Sequence, residues 1–173
     1  GTFKFNNITI TGVLSNASGK NFSIAGNWLN NGSYTAGNET ITFNGSSQTI
    51  GGSASTVFNH LNIAGTADKT LGNDITVNNI LTLISRNIDA NANSKTVYVK
   101  GSVARTTIGH IVGNLKKDIP SGTSVTKLFE VGTLNYSPVI IDFSTITTGG
   151  SLTIRTDNGD NSNIGTSILN ASR

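Results

Sequence analysis

The residues that could carry out chemistry are few in this sequence and lie far apart. Nine carboxylates are accompanied by two histidines, His60 and His110, and by no cysteine. Glycoside hydrolysis needs two carboxylates with opposed roles, whereas these stand mostly beside turn residues, where solvated or Asx-turn roles are favoured. We therefore predict no catalytic residue. A cluster assembled from distant segments, as in a β-helical polysaccharide lyase, remains the enzymatic alternative. The carboxylates are Glu39, Asp68, Asp74, Asp89, Asp118, Glu130, Asp142, Asp157 and Asp160.

One segment has the composition of a metal-binding loop. Residues 157–161 (DNGDN) place Asp157 and Asp160 around a turn glycine, and calcium loops also use oxygen ligands at such a turn. The later bidentate Glu of an EF-hand loop is missing, so a plain β-turn is the favoured interpretation. Without thiols there is no Cys-based zinc site. We expect no cofactor and no resident metal ion.

Four aromatic residues suggest a second kind of ligand binding. Trp28, Tyr34, Tyr98 and Tyr136 could form a platform on which sugars stack. Packing in the core or at corners is the favoured role for each of them. A carbohydrate-binding module would show two exposed, coplanar rings, and an enzyme would show a groove with at least two carboxylates and a Lys or Arg.

Composition limits the remaining classes of function. The chain is 35% hydrophobic and 12% charged, with a net charge of only +3, so charge-driven disorder is disfavoured. Lys and Arg do not cluster with aromatics, which argues against nucleic-acid binding. The one adjacent pair, Lys116 and Lys117, is predicted on a solvated strand or turn. No signal peptide or membrane-spanning segment is visible, and we predict no direct membrane insertion.

Short runs with apolar residues at alternate positions predict strands throughout the chain. They cover residues 5–10, 40–43, 57–63, 96–99, 139–143 and 151–155. Turn dipeptides such as Asn-Gly and Gly-Gly separate them. The fold class is therefore all-β.

An internal repeat suggests how these strands are arranged. Residues 5–12 align with 58–65 at an offset of 53 (58 minus 5), and residues 21–24 align with 74–77 at the same offset. Such spacing is typical of solenoids. We predict a parallel β-helix over residues 1–105, built from two units of about 53 residues. Residues 106–173 have longer strands and both prolines, and predict an antiparallel β-sandwich-like module or cap, truncated at its C-terminal end.

The same segments resemble a known family. The runs NFSIAGNWLNNGSY (21–34), TITFNGS (40–46) and FNHLNI (58–63) are similar to the β-helical repeats of large Bacteroidetes surface proteins exported by type IX secretion. VGNLKK (112–117), FEVG (129–132) and YSPV (136–139) resemble the module that follows those repeats. The resemblance implies an extracellular or cell-surface location, an adhesin or stalk role, and no catalytic residues.

These features lead to one functional hypothesis with two alternatives. We expect a non-catalytic structural or adhesive segment of a large extracellular or cell-surface protein. Its expected partners are further domains of the same polypeptide, and other copies or surface glycans are candidates. The beginning and end of the sequence are interpreted as internal to a longer protein. The alternatives are a carbohydrate-binding module and a β-helical polysaccharide lyase fragment.

Overall fold

Three short strands and three corners make up each turn of the chain, and successive turns stack in parallel. This computed structural model describes residues 1–159, which contain strands, turns and loops and no helix. Within that range no helix is long and apolar enough to cross a bilayer. The succession of short strands and corners along the chain follows from the sequence, because apolar residues alternate along each strand and Gly or Asn occupies the corners.

The strands follow in chain order. Those of the first three turns are β1 (Thr2–Phe5), β2 (Ile8–Ile10), β3 (Val13–Ser15), β4 (Asn21–Ile24), β5 (Trp28–Asn30), β6 (Ser33–Thr35), β7 (Thr40–Phe43), β8 (Gln48–Gly51) and β9 (Thr56–Phe58). The next turns contain β10 (His60–Ile63), β11 (Lys69–Leu71), β12 (Ile75–Val77), β13 (Ile80–Leu83), β14 (Ile88–Asp89), β15 (Thr96–Val99), β16 (Ser102–Arg105), β17 (Ile111–Val112) and β18 (Asn114–Ile119). The last strands are β19 (Gly122–Phe129), β20 (Val131–Gly132), β21 (Val139–Ile146) and β22 (Gly150–Ile154).

Three long sheets form the sides of the β-helix. Sheet 1 has the order β1-β4-β7-β10-β13-β16, sheet 2 has β2-β5-β8-β11-β14-β17-β20, and sheet 3 has β22-β18-β15-β12-β9. In the first two turns β3 and β6 take the third position and pair with each other. The seven strands of sheet 2 define a β-solenoid of about seven turns. The predicted parallel β-helix is confirmed.

The structural repeat is a single turn rather than the 53-residue unit. Partners in neighbouring parallel strands are separated by 18 residues at the shortest (Val97↔Leu115) and 23 at the longest (Ile88↔Ile111). Phe5, in sheet 1, was aligned with Phe58, which lies in sheet 3. The alignment matched strands of different sheets because every strand of the coil has the same alternating pattern.

The inward rows of the three sheets form one core. Alternation along the strands predicts that Ile10, Ile24, Phe43, Ile63, Val77 and Val99 are buried in one core, and all six belong to a single cluster. Ile24, Phe43 and Ile63 are in register in sheet 1, while Val77 and Val99 are in register in sheet 3. Each such side chain contributes about 1.5–3 kcal/mol of burial energy. The prediction of one buried core is confirmed, with its members spread over three sheets.

Side-chain oxygens tie the corners of adjacent turns together. At the corner between sheets 1 and 2, Asn7 Oδ1 accepts the Asn27 N–H at 2.7 Å, and Asn27 Oδ1 accepts the Thr49 N–H at 2.8 Å. Farther along, Asn87 Oδ1 accepts the His110 N–H at 2.9 Å. Corner amides thus satisfy backbone donors that no sheet pairs.

One corner shows why glycine is required. Gly52 has φ of +115°, and a Cβ there would lie against the backbone of Asn30 in the preceding turn. Only glycine combines this conformation with so close an approach.

Parallel stacking continues past residue 105, through β17, β18 and β20 to Gly132. The antiparallel elements are the β19–β21 hairpin and β22, which pairs with β18. On β21, Val139, Ile141 and Phe143 pack against the core, as period-2 spacing predicts. Pro138 directly precedes this strand, where its missing N–H is tolerated. The hairpin strand β19 thus lies in the chain between the parallel strands β18 and β20, whereas β21 and β22 follow the last parallel strand.

The first turn leaves its outer edge open. Phe3 is 54% exposed and Phe5 38% exposed. Both rings contact Phe22 of the next turn, at centroid distances of 6.2 and 5.1 Å. The edge of sheet 1 at β1 thus presents aromatic surface and unpaired backbone groups.

Candidate functional site

The carboxylates are dispersed by the fold. Glu39 and Glu130 are buried in the two ends of the core, and Asp74 accepts a backbone N–H from Thr96 of the next turn. Asp118 and Asp142 bond Tyr98 and Thr126. Among residues 1–159 no group of three or more His, Asp or Glu side chains could hold a metal ion. Three surface depressions are each lined by at most one carboxylate.

The calcium candidate is only half described. Asp157 forms an ion pair with Arg155, and Arg155 Nε lies 3.0 Å from Asp157 Oδ1. This bond raises the pKa of the Arg155 guanidinium. Asp160 lies outside the described residues, so the loop stays a prediction.

The two histidines have different surroundings. His60 is half-buried on the outer side of sheet 1, in register with Thr40. His110 is buried, and its Nδ1 and Nε2 lie 3.4 and 3.1 Å from the carbonyl oxygens of Ile108 and Thr133. The His110 ring is therefore held within the fold, whereas His60 lies on the outer face of a sheet.

Trp28 and Tyr34 are core residues, as sequence favours. Trp28 Nε1 donates to Thr56 Oγ1 at 3.0 Å, and Tyr34 Oη donates to Glu39 Oε1 at 2.5 Å. Burial, together with the Glu39 carboxylate, raises the pKa of Tyr34. Their rings meet edge to face with centroids 4.9 Å apart. Neither ring is available to a ligand.

Tyr136 is half-buried at the C-terminal end of the helix. The Arg105 guanidinium lies 3.4 Å from its ring centroid, and Arg105 Nε donates to the Gly109 carbonyl oxygen. The ring is thus stacked on a cation of the protein and orders the loop around His110.

Of the four aromatic residues predicted as a platform, Tyr98 is the one on the outer side of a sheet. It lies half-buried on the outer side of sheet 3, in register with Thr76 and Lys116. Its Oη donates to Asp118 Oδ1 at 2.5 Å, and this hydrogen bond is the main cause that raises the pKa of Tyr98. Lys116 Nζ and Lys100 Nζ lie 4.6 and 5.7 Å from its ring centroid.

Two depressions adjoin at Tyr98. The larger, of about 650 Å³, is lined by Lys100, Asp118, Lys127 and the 149–151 backbone. The smaller, of about 440 Å³, is lined by Lys116, Asp74 and the hydroxyls of Ser55, Thr76, Thr96 and Thr153. We name this surface the Tyr98 groove. It lacks a second aromatic ring, so it does not match the platform expected of a typical sugar-stacking module.

Lys69 is a buried cation that sequence reasoning did not single out. Its Nζ donates to the carbonyl oxygens of Gly45, Ser46 and Ala67 at 2.7–2.9 Å. Gln48, its register partner one turn earlier, also donates inward, to the Ile24 carbonyl oxygen at 3.0 Å. Alternation along β11 is the signal, because Lys69 and Leu71 share the inward side.

The pKa of Lys69 predicts a stability change in mild alkali. Burial lowers this pKa to about 8, from the ordinary value of 10.5. Between these values the unfolded chain holds more protons, so the free energy of unfolding should rise with pH. Above pH 10 the raised pKa of Tyr34 acts in the opposite direction. Urea denaturation at pH 7, 8, 9 and 10 measures the rise, and Lys69→Gln should remove it. Equal pH slopes for the two proteins would contradict this assignment.

Lys117 lies inside the fold, which corrects the predicted solvated position. Its Nζ is 2.6 Å from Glu130 Oε2 and 2.9 Å from the Leu128 carbonyl oxygen. Lys116 points outward, as predicted. Adjacent residues of a strand face opposite sides, so the two lysines could not share one environment.

No family model, curated protein or solved structure matches this chain. The class of protein therefore rests on its own geometry, which is that of a parallel β-solenoid.

Proposed function

We propose that the chain is a non-catalytic structural and adhesive segment of a large extracellular or cell-surface bacterial protein. The observation that carries the proposal is the uninterrupted stack of about seven turns around one apolar core. Such a stack makes an elongated body whose length depends on the number of turns. Its sides then serve as extended binding surfaces.

The proposed partners are further domains of the same polypeptide, with other copies or surface glycans as candidates. The exposed rings of Phe3 and Phe5 support a β-coil as the neighbour at the open edge. Such a neighbour would bury the aromatic surface and pair the free backbone of β1.

Antibodies raised against this chain test both the size and the location of the parent protein. We expect them to label intact cells of the source organism and to detect a polypeptide much larger than 18.0 kDa. Labelling of a cytoplasmic marker in the same cells controls for leakage. A species of 18.0 kDa, seen only after permeabilisation, would refute the proposal.

The lyase alternative needs a base and neighbouring acids in one groove. The Tyr98 groove has lysines, but each of its depressions has a single carboxylate. Incubation of the chain with polygalacturonate, with and without calcium, should therefore give no unsaturated uronate ends. Their appearance, lost in Lys100→Gln or Lys116→Gln, would establish the enzymatic alternative.

A further inference from the structure

The strongest unassigned feature is the charge around Tyr98. Three lysines, Lys100, Lys116 and Lys127, line the two depressions that share Tyr98, and Lys127 comes from strand β19 of the hairpin. Lys69 and Lys117, by contrast, are buried. The Tyr98 groove thus has three lysines and two aspartates, an excess of positive charge, on a chain of net charge +3.

We propose that the Tyr98 groove binds an acidic polysaccharide, with the ammonium groups of Lys100, Lys116 and Lys127 contacting its carboxylates. This inference rests on the proposed adhesive role and supplies its ligand class. The two depressions meet at Tyr98, so the surface continues across sheet 3 and suits a chain-like ligand. Charge complementarity selects a polyanion.

The polar groups select a sugar acid among polyanions. Sugar hydroxyls need acceptors as well as donors, and each depression provides both. Asp118 uses Oδ1 to accept the Tyr98 hydroxyl, which leaves Oδ2 to accept a sugar hydroxyl. Ser55, Thr76, Thr96 and Thr153 add hydroxyls on the other side.

The same groups disfavour a nucleic acid. Lys116 Nζ lies 4.6 Å from the Tyr98 ring centroid and covers the face on which a base would stack.

Tyr98 acts as a positioning residue for this surface. Its ring attracts the ammonium groups of Lys100 and Lys116, while its hydroxyl orients Asp118. The lysines are therefore held near one another before the ligand arrives, which reduces the entropy lost on binding.

Binding of polygalacturonate, measured by affinity electrophoresis and calorimetry at low salt, tests the proposal. We expect the unmodified chain to bind it and to ignore fully methyl-esterified polygalacturonate, which keeps the sugar backbone but has no charge. Lys100→Gln combined with Lys116→Gln should weaken binding about tenfold, because two exposed ion pairs with the ligand are lost. Lys100→Gln combined with Lys127→Gln provides a second variant should the first unfold.

A matched control removes the same charge elsewhere. Lys4→Gln combined with Lys20→Gln changes the first two turns and should leave binding unchanged. The proposal is overturned if polygalacturonate does not bind, if the control loses as much affinity as the test variant, or if single-stranded poly(dT) binds more tightly. None of these outcomes alters the antibody result. The proposed ligand class and the proposed surface location can therefore be refuted independently of each other.

Discussion

Replacing Glu130 with alanine should lower the free energy of unfolding by about 3–5 kcal/mol, the cost of a buried charge that has lost its partner. Glu130 is 5% exposed and Lys117 8% exposed, and the ammonium–carboxylate distance is 2.6 Å. Without the carboxylate, Lys117 keeps the Leu128 carbonyl oxygen and the distant Phe129 ring, 5.9 Å away. Urea denaturation followed by circular dichroism measures the loss.

Asp142→Ala is the matched control, because it removes a carboxylate from the exposed side of the same hairpin. Its expected effect is within about 0.5 kcal/mol. Combining Lys117→Met with Glu130→Leu should restore most of the stability, since an apolar pair of similar volume replaces the ions. An equal loss of stability for Glu130→Ala and Asp142→Ala would show that the Lys117–Glu130 ion pair does not hold the hairpin to the β-helix.

The second large effect is expected at Phe58. Phe58→Ala should cost about 3–5 kcal/mol, the range for removing a fully enclosed ring. The residue is 0% exposed. Its ring centroid lies 5.4 Å from that of Trp28, 6.2 Å from that of Tyr34 and 6.3 Å from that of Phe43. The four rings fill the core where sheet 3 begins. Removing the Phe58 ring therefore leaves a cavity that neighbouring turns cannot close.

Val57→Ala tests the same strand on its outer side, where the side chain is 40% exposed. Thermal and urea denaturation of the two variants should separate them by at least about 2 kcal/mol. Phe58→Leu, which retains most of the volume, should fall between them. If Phe58→Ala unfolds as easily as Val57→Ala, the aromatic cluster does not stabilise the fold.

The surface role and the ligand class depend on different features of the molecule. The surface role depends on the stack of turns, whereas glycan binding depends on a few lysines that the stack places side by side. Substitution of those lysines should leave the free energy of unfolding almost unchanged, because surface pairs contribute little. Affinity and stability can therefore be measured independently on the same variants.

Local pattern in the sequence was enough for the fold class. Alternation along each strand depends on neighbouring residues only, so the inward position of Ile63 or Val99 could be predicted without knowing the partner strands. The spacing of strands and corners also predicted a solenoid. What local pattern could not provide was the register between turns, and the 53-residue repeat was an alignment of unlike sheets.

Tertiary structure decided which polar residues are buried and what they contact. Lys69 can lie inside because its ammonium group donates to carbonyl oxygens of the preceding turn. Lys117 can lie inside because the carboxylate of Glu130 accepts from its ammonium group. The Tyr98 groove likewise combines β15, β18, β22 and the hairpin. The sequence by itself determined that the chain is all-β and which apolar residues of each strand face inward. Which strands become neighbours, and hence which charges meet, depends on long-range packing between turns, because an isolated strand has no means of satisfying a buried ion.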